Sequence, residues 1–202
     1  MDIKDTYKTI DSPSEEVLLK EKGSKFFGYC YPIHAEHQVK VIIDQLKKQH
    51  HTARHWCYSF QLGTDQIYYR VNDDGEPSGS AGLPIYGQIL SFDITNILVV
   101  VVRYFGGTKL GVGGLVSAYK ETAKMALEAA EIIEKTIDSQ YVLEFEYKDM
   151  SRVMRIVKDR NLSIISQQLE LKCQIEIAVR KGEVGQFLSA FESLYEVVIK
   201  EK

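Results

Sequence analysis

The chain has 202 residues, enough for one large domain or two small ones, and its 45% hydrophobic and 26% charged residues are ordinary for a globular protein. A net charge of −3 provides no global attraction to nucleic acid or to an anionic membrane, so any such binding has to come from a local basic surface. The sequence shows neither an N-terminal apolar leader nor a run of about 18 apolar residues, and the expectation is a cytoplasmic protein without membrane contact. Cys30, Cys57 and Cys173 are far apart and lack metal-ligand spacing. The apolar, strand-like surroundings of the first two point to buried thiols.

In chain order, residues 1–14 are polar and turn-rich, an arm or a first short strand. Residues 17–22 and 25–33 flank Gly23-Ser24 and predict a hairpin. Over 34–49, Val39, Ile42, Ile43 and Leu46 recur on one helical face while Lys40, Asp44, Lys47 and Lys48 fall on the other. Trp56, Tyr58, Phe60 and Leu62 then alternate with Cys57, Ser59 and Gln61, which predicts a half-buried strand. A turn at 63–65 leads to a strand over 66–71, a long glycine- and acid-rich loop over 72–84, and a short helix over 85–92.

The next stretch organises the chain. After Asn96, residues 97–102 are apolar and mostly β-branched, the pattern of a strand covered on both faces. Beyond Arg103 comes a loop with Gly106, Gly107, Gly111, Gly113 and Gly114, with Lys109 in its middle. From Leu115 to Ala130 apolar residues recur at helical spacing. Strand, glycine loop with two cations, and helix N-terminus together suit an anion, because glycine lets backbone approach a ligand and the first helical N–H groups lack partners. A tight turn whose glycines only relieve crowding is the plainer alternative. The loop is not a nucleotide P-loop, since the Gly-Lys-Ser/Thr order is missing, nor a dinucleotide fingerprint, since the glycine offsets differ.

Residues 131–139 carry mixed charge without a strong period, and a boundary is placed there, giving domains 1–134 and 135–202. The second reads as a strand over 137–147, a helix with Met150, Val153, Met154 and Val157 inward, strands over 162–169 and 171–179, a helix with Val184, Phe187, Leu188, Phe191 and Leu194 inward, and a last strand over 195–199. That order is the ferredoxin-like βαββαβ unit, so the fold class is α+β.

Three other groups carry potential chemistry. Asp73, Asp74 and Glu76 suit a divalent ion such as Mg²⁺, or equally a turn. Ser78, Gly79, Ser80 and Gly82 are small enough for a phosphate or a second backbone to come close. His51, Arg54 and His55 precede the Trp56 strand, but no nucleophile elbow accompanies Ser59 or Ser78. Arg152, Arg155, Lys158 and Arg160 line one helix flank, read as an RNA-backbone stripe or, more simply, a solvated face.

At Arg103-Tyr104-Phe105-Gly106-Gly107-Thr108-Lys109-Leu110-Gly111 the chain resembles the IMPACT/YigZ family. Asp74-Gly75-Glu76-Pro77-Ser78-Gly79-Ser80-Ala81-Gly82, His55-Trp56-Cys57-Tyr58 and Gly23-Ser24-Lys25-Phe26 extend the resemblance in the same order. It implies an N-terminal domain of the ribosomal-protein-S5 second-domain type and a C-terminal domain like the last domain of elongation factor G. It also implies a nucleic-acid- or ribosome-associated protein without an established reaction. Eukaryotic members restrain the amino-acid-starvation kinase pathway through an extra N-terminal domain. This chain starts almost directly at the shared domain, so that partner is not expected.

The leading expectation is therefore a non-enzymatic protein that binds RNA or translation factors where the two glycine loops meet. Arg103 and Lys109 would contact phosphates, loop N–H groups would complete the cradle, His55 and Tyr104 would stack on or bond to a base, and Arg54 would extend the surface. No cofactor is expected. The alternative is an Mg²⁺-assisted hydrolase or transferase on a phosphorylated small molecule, with Asp73, Asp74 and Glu76 on the metal. A third reading is a docking module whose C-terminal sheet meets a ribosomal partner.

Overall fold

The computed structural model describes residues 4–202. Two compact units emerge: one is Tyr7–Lys135, and the other is Thr136–Lys202 together with residues 4–6. The first unit contains β1 (Thr6–Ile10), β2 (Val17–Glu21), β3 (Ser24–Pro32), α1 (His37–Gln49), β4 (His55–Leu62) and β5 (Tyr68–Asn72). It continues with α2 (Gly82–Ser91), β6 (Ile97–Tyr104), α3 (Gly111–Glu128) and β7 (Ile132–Thr136).

Five of these strands form an antiparallel sheet in the order β2-β3-β6-β4-β5, with β6 at its centre. Every residue from Ile97 to Val102 is fully buried. Successive side chains leave a strand on opposite faces. Val99 and Val101 therefore pack with α2 and α3, while Leu98, Val100 and Val102 pack with α1 through Val39, Ile43 and Leu46. Helices on both faces account for the unbroken apolar run.

The same layering corrects the expectation for β4. Cys57 is buried, as its apolar surroundings lead one to expect, and so are Ser59 and Gln61, expected opposite the apolar side chains of a half-buried strand. Their polar atoms are satisfied internally: Ser59 Oγ donates to the Gly82 carbonyl (2.7 Å) and Gln61 Nε2 to that of Ile94 (3.2 Å). Two helix starts also differ. α2 begins at Gly82 rather than 85, and α3 begins at Gly111, so Gly113 and Gly114 lie in its first turn. Glycine has no side chain to display a helical period, which is why the pattern became visible only at Leu115. Residues 132–136, read as featureless, form β7 and pair with β1 in a separate two-stranded sheet.

The second unit contains β8 (Asp138–Glu146), α4 (Met150–Asp159), β9 (Ser163–Leu169), β10 (Lys172–Arg180), α5 (Val184–Phe191) and β11 (Val198–Glu201). Its antiparallel sheet has the order β11-β8-β10-β9. The core joins Leu143, Phe145, Ile175 and Ile177 to Val153, Val157, Phe187 and Phe191 of the two helices. The last strand starts three residues later than expected. At 194–197 the chain is still turning, with the amides of Leu194 and Val197 donating to Phe191 and Leu194, and Tyr195 is 92% exposed. On α4, Arg152 pairs with Asp149 and Glu196, and Arg155 pairs with Asp159 in solvent.

Candidate functional site

The loop after β5 is folded by its own carboxylates. Asp73 accepts three backbone N–H groups, from Gly79 (2.8 Å) on one oxygen and from Ala81 (3.0 Å) and Gly82 (2.8 Å) on the other. It thereby satisfies amides at the start of α2, which gives that helix its extra turn. Asp74, at φ +41°, accepts the Trp56 amide on Oδ2 (2.7 Å), and its carbonyl accepts from His55 Nδ1 (2.8 Å). Ser80 Oγ donates to the Pro77 carbonyl (2.6 Å), Ser78 is exposed, and a Cβ on Gly82 would stand 2.8 Å from the Asn72 nitrogen.

Glu76 turns inward instead. Its Oε1 accepts from Arg103 Nη1 (2.6 Å) and from the Tyr119 hydroxyl (2.7 Å), and His55 Nε2 lies 4.0 Å away. Both members of the ion pair are buried, with side chains 4% and 7% exposed. Cys57 Sγ lies 3.0 Å from the Asp73 carbonyl and 3.3 Å from Tyr119 Oη. Burial pushes the Tyr119 phenol and the Cys57 thiol well above their ordinary values, so both stay neutral. Asp73, Asp74 and Glu76 thus serve three different sets of partners. Among the described residues no group of three or more His, Cys, Asp or Glu is arranged to hold a metal ion.

The fold does bring the two loops together, through Glu76 and Arg103. Arg103, next to last in β6, has its guanidinium 5.5 Å from the Phe26 ring and 5.7 Å from the Phe105 ring, and its Nε has no partner among the described residues. Its charge is balanced inside the protein. The following backbone is pinned at Gly106, where a Cβ would come within 1.9 Å of the Gly23 carbonyl carbon, and the Gly106 amide donates to Ser24 Oγ (3.1 Å). This close approach explains why the hairpin turn at Gly23-Ser24 and the glycine loop form parts of one motif.

Past Gly106 the loop opens. At Gly107, Gly111 and Gly113 an added Cβ would meet nothing within 4 Å, and Gly107 (φ +88°) and Gly111 (φ +73°) adopt the left-handed region. Leu110 precedes α3 without a side-chain cap, so the first-turn amides take no bond from a capping side chain. Beside this turn lies a cavity of about 270 Å³ lined by Glu76, Pro77, Arg103, Phe105, Lys109 and Val112 among others. Phe105 and Val112 are half exposed.

Lys109, Arg54 and Lys25 are exposed and have no ion-pair partner among the described residues. Arg54 and Lys25 flank the end of β6: the Arg54 amide donates to the Arg103 carbonyl (3.2 Å), and Lys25 is in register with Tyr104. Tyr104 leaves β6 on the opposite face from Arg103. Its ring packs edge-on to Phe27, and its hydroxyl meets His50 Nδ1 (3.0 Å). His50 Nε2 contacts Tyr29 (2.5 Å), which also bonds Glu16. Burial lowers the His50 pKa and favours the neutral ring; because the Tyr29 hydroxyl donates to Glu16, its oxygen is left to accept from Nε2, and Nδ1 accepts from Tyr104. Sequence reading missed Tyr119, hidden among core positions of a helix, and Phe105, whose signal is an aromatic residue stranded among glycines.

A family model described as the Impact N-terminal domain matches residues 22–127. The chain is similar to the IMPACT family member YigZ of Escherichia coli, at 30% identity over 87% of this chain and 88% of that protein. A crystal structure of a hypothetical protein shares 26% identity and a TM-score of 0.74 across 98% of this chain and 97% of that one. The two-domain translational regulator Yih1 is 25% identical over 58% of this chain and 45% of its own, with a TM-score of 0.37, too loose a superposition to bear on the fold. No helix among the described residues is long and apolar enough to cross a membrane.

Proposed function

The chain belongs to the IMPACT family, and from that premise we propose that it is a non-enzymatic, RNA-binding protein of the translation apparatus. The first unit is read as the S5 second-domain type. The second is read as ferredoxin-like, supported by its βαββαβ order and by the strand order β11-β8-β10-β9. Family membership supports the translational setting.

One observation carries the binding site: the uncapped first turn of α3, with open glycine backbone, stands beside an unpaired Lys109 and a half-exposed Phe105. Backbone amides at a helix start and a nearby ammonium suit a phosphate, and an exposed ring suits an unpaired base. Arg103 takes a supporting role here. Held by Glu76, it fixes the loop from below, while Lys109, Arg54 and Lys25 supply the outward charge.

Affinity capture of the protein from a lysate, with and without nuclease, tests this. Sequencing of the retained RNA and mass spectrometry of the retained proteins should show nuclease-sensitive RNA that Lys109→Glu fails to retain. Equal recovery by parent and variant would overturn the placement, and partners indifferent to nuclease would overturn RNA as the ligand.

A further inference from the structure

On the face of the sheet that carries α1 lies a second concavity, a groove of about 460 Å³. Helix α1 contributes Lys40, Asp44 and Lys47, while Trp56, Tyr58 and Asn72 come from β4 and β5. Trp56 and Tyr58 are half-buried. The Lys47 ammonium stands 5.4 Å from the centre of the Trp56 ring, and Lys40 has no ion-pair partner among the described residues. Arg70 and Glu36, which also line the groove, neutralise each other at 2.9 Å. Asn72 accepts the Asp74 amide on Oδ1 (2.7 Å), which leaves its NH₂ group to donate elsewhere.

We propose that this groove receives an unpaired base of a single-stranded RNA, stacked against Trp56 and Tyr58, with the adjoining phosphate between Lys40 and Lys47. The inference rests on the RNA reading given above. Aromatic rings stack on any base, and the base takes the place of the Lys47 ammonium over the indole while the lysine turns to the phosphate. Asn72 offers its donor to the base edge. With Asp44 and Asp74 also on the groove, its charge is nearly balanced, so stacking rather than bulk attraction to phosphate supplies the affinity here.

Continuity with the loop site supports the same occupant. Asp74 lies on the groove, its carbonyl holds His55, and His55 stands 4.0 Å from Glu76, which lines the cavity beside Lys109. The two concavities open on opposite faces of the sheet, and His55 at the start of β4 marks where one strand would pass from the start of α3 to the aromatic floor.

Trp56 is the chain's single tryptophan, so its emission reports on this groove alone. The full chain is titrated with a labelled oligouridylate of roughly ten nucleotides, and label anisotropy and tryptophan emission are read together. Emission should change along the same isotherm as anisotropy. Tyr58→Ala should weaken binding by roughly 10- to 100-fold. Lys40→Glu, an exposed helix position that leaves the core intact, should weaken it roughly several-fold and lower the salt slope by about one. Binding that leaves the emission unchanged, with Lys40→Glu equal to the parent, would overturn the groove while leaving the loop site standing. No rise in anisotropy at all would overturn the RNA reading and this inference with it.

Discussion

Glu76→Ala is the sharpest perturbation of the junction between the two loops. The substitution removes the acceptor of Arg103 Nη1 (2.6 Å) and Tyr119 Oη (2.7 Å) at a site where both charged side chains are less than a tenth exposed. Breaking a buried ion pair from one side costs about 3–5 kcal/mol, because the remaining charge stays buried without compensation. An orphaned hydroxyl adds about 1–3 kcal/mol. Against a typical domain stability of about 5–15 kcal/mol, the variant is left marginal. Trp56 lies in the unit Tyr7–Lys135, so urea unfolding followed by its fluorescence reads that unit separately. With a urea m-value of about 2 kcal/mol per M, the midpoint should fall by roughly 2 M or more. Glu76→Gln keeps an acceptor for both partners and should lose less. Glu76→Leu combined with Arg103→Met removes both charges together and should recover most of the loss. A midpoint for Glu76→Ala within about 0.5 M of the parent would refute the buried-pair reasoning, since it would place the interaction in the range of exposed ion pairs.

The remaining expectations separate structural glycines, a buried histidine and buried thiols. Gly106→Ala forces a methyl into the Gly23–Ser24 backbone and should cost at least about 3 kcal/mol in urea melts. Gly113→Ala meets open space within α3 and should gain about 0.5–1 kcal/mol while weakening RNA binding measured by anisotropy. His50 is held neutral by burial, so its folded pKa lies below the unfolded value of about 6.5. Its contribution is complete above that value and is lost as pH falls toward the folded pKa; urea midpoints should drop below about pH 6.5, and less steeply in His50→Gln. The Cys30 thiol, pushed up to about 12 by burial, and the buried Cys57 and Cys173 should resist a disulfide reagent at pH 8 until denaturant is added, when all three react.

Much of the fold was legible in the sequence because burial there follows period. The residues of β6 are apolar throughout since both faces are covered, and α1 shows its buried stripe through Val39, Ile43 and Leu46. Period fails where polar atoms are satisfied internally, as at Ser59 and Gln61, and where glycine leaves no side chain to read, as at the start of α3. The two glycine loops were legible as a motif, but the direction of their charges was not. Arg103 and Glu76 are 27 residues apart, and only the strand register and the folded acidic loop make them partners. The same alternation along β6 sends Tyr104 to the α1 side, toward His50, while Arg103 meets Glu76.

Anisotropy of a labelled single-stranded RNA, titrated with parent and Lys109→Glu between about 50 and 200 mM salt, tests most directly whether the glycine loop holds phosphate. Expected is a loss of roughly tenfold in affinity for the variant, with the slope of log K against log salt reduced by about one. Equal affinities and equal slopes for the two proteins would contradict the assignment of the loop between Phe105 and α3 as the phosphate site.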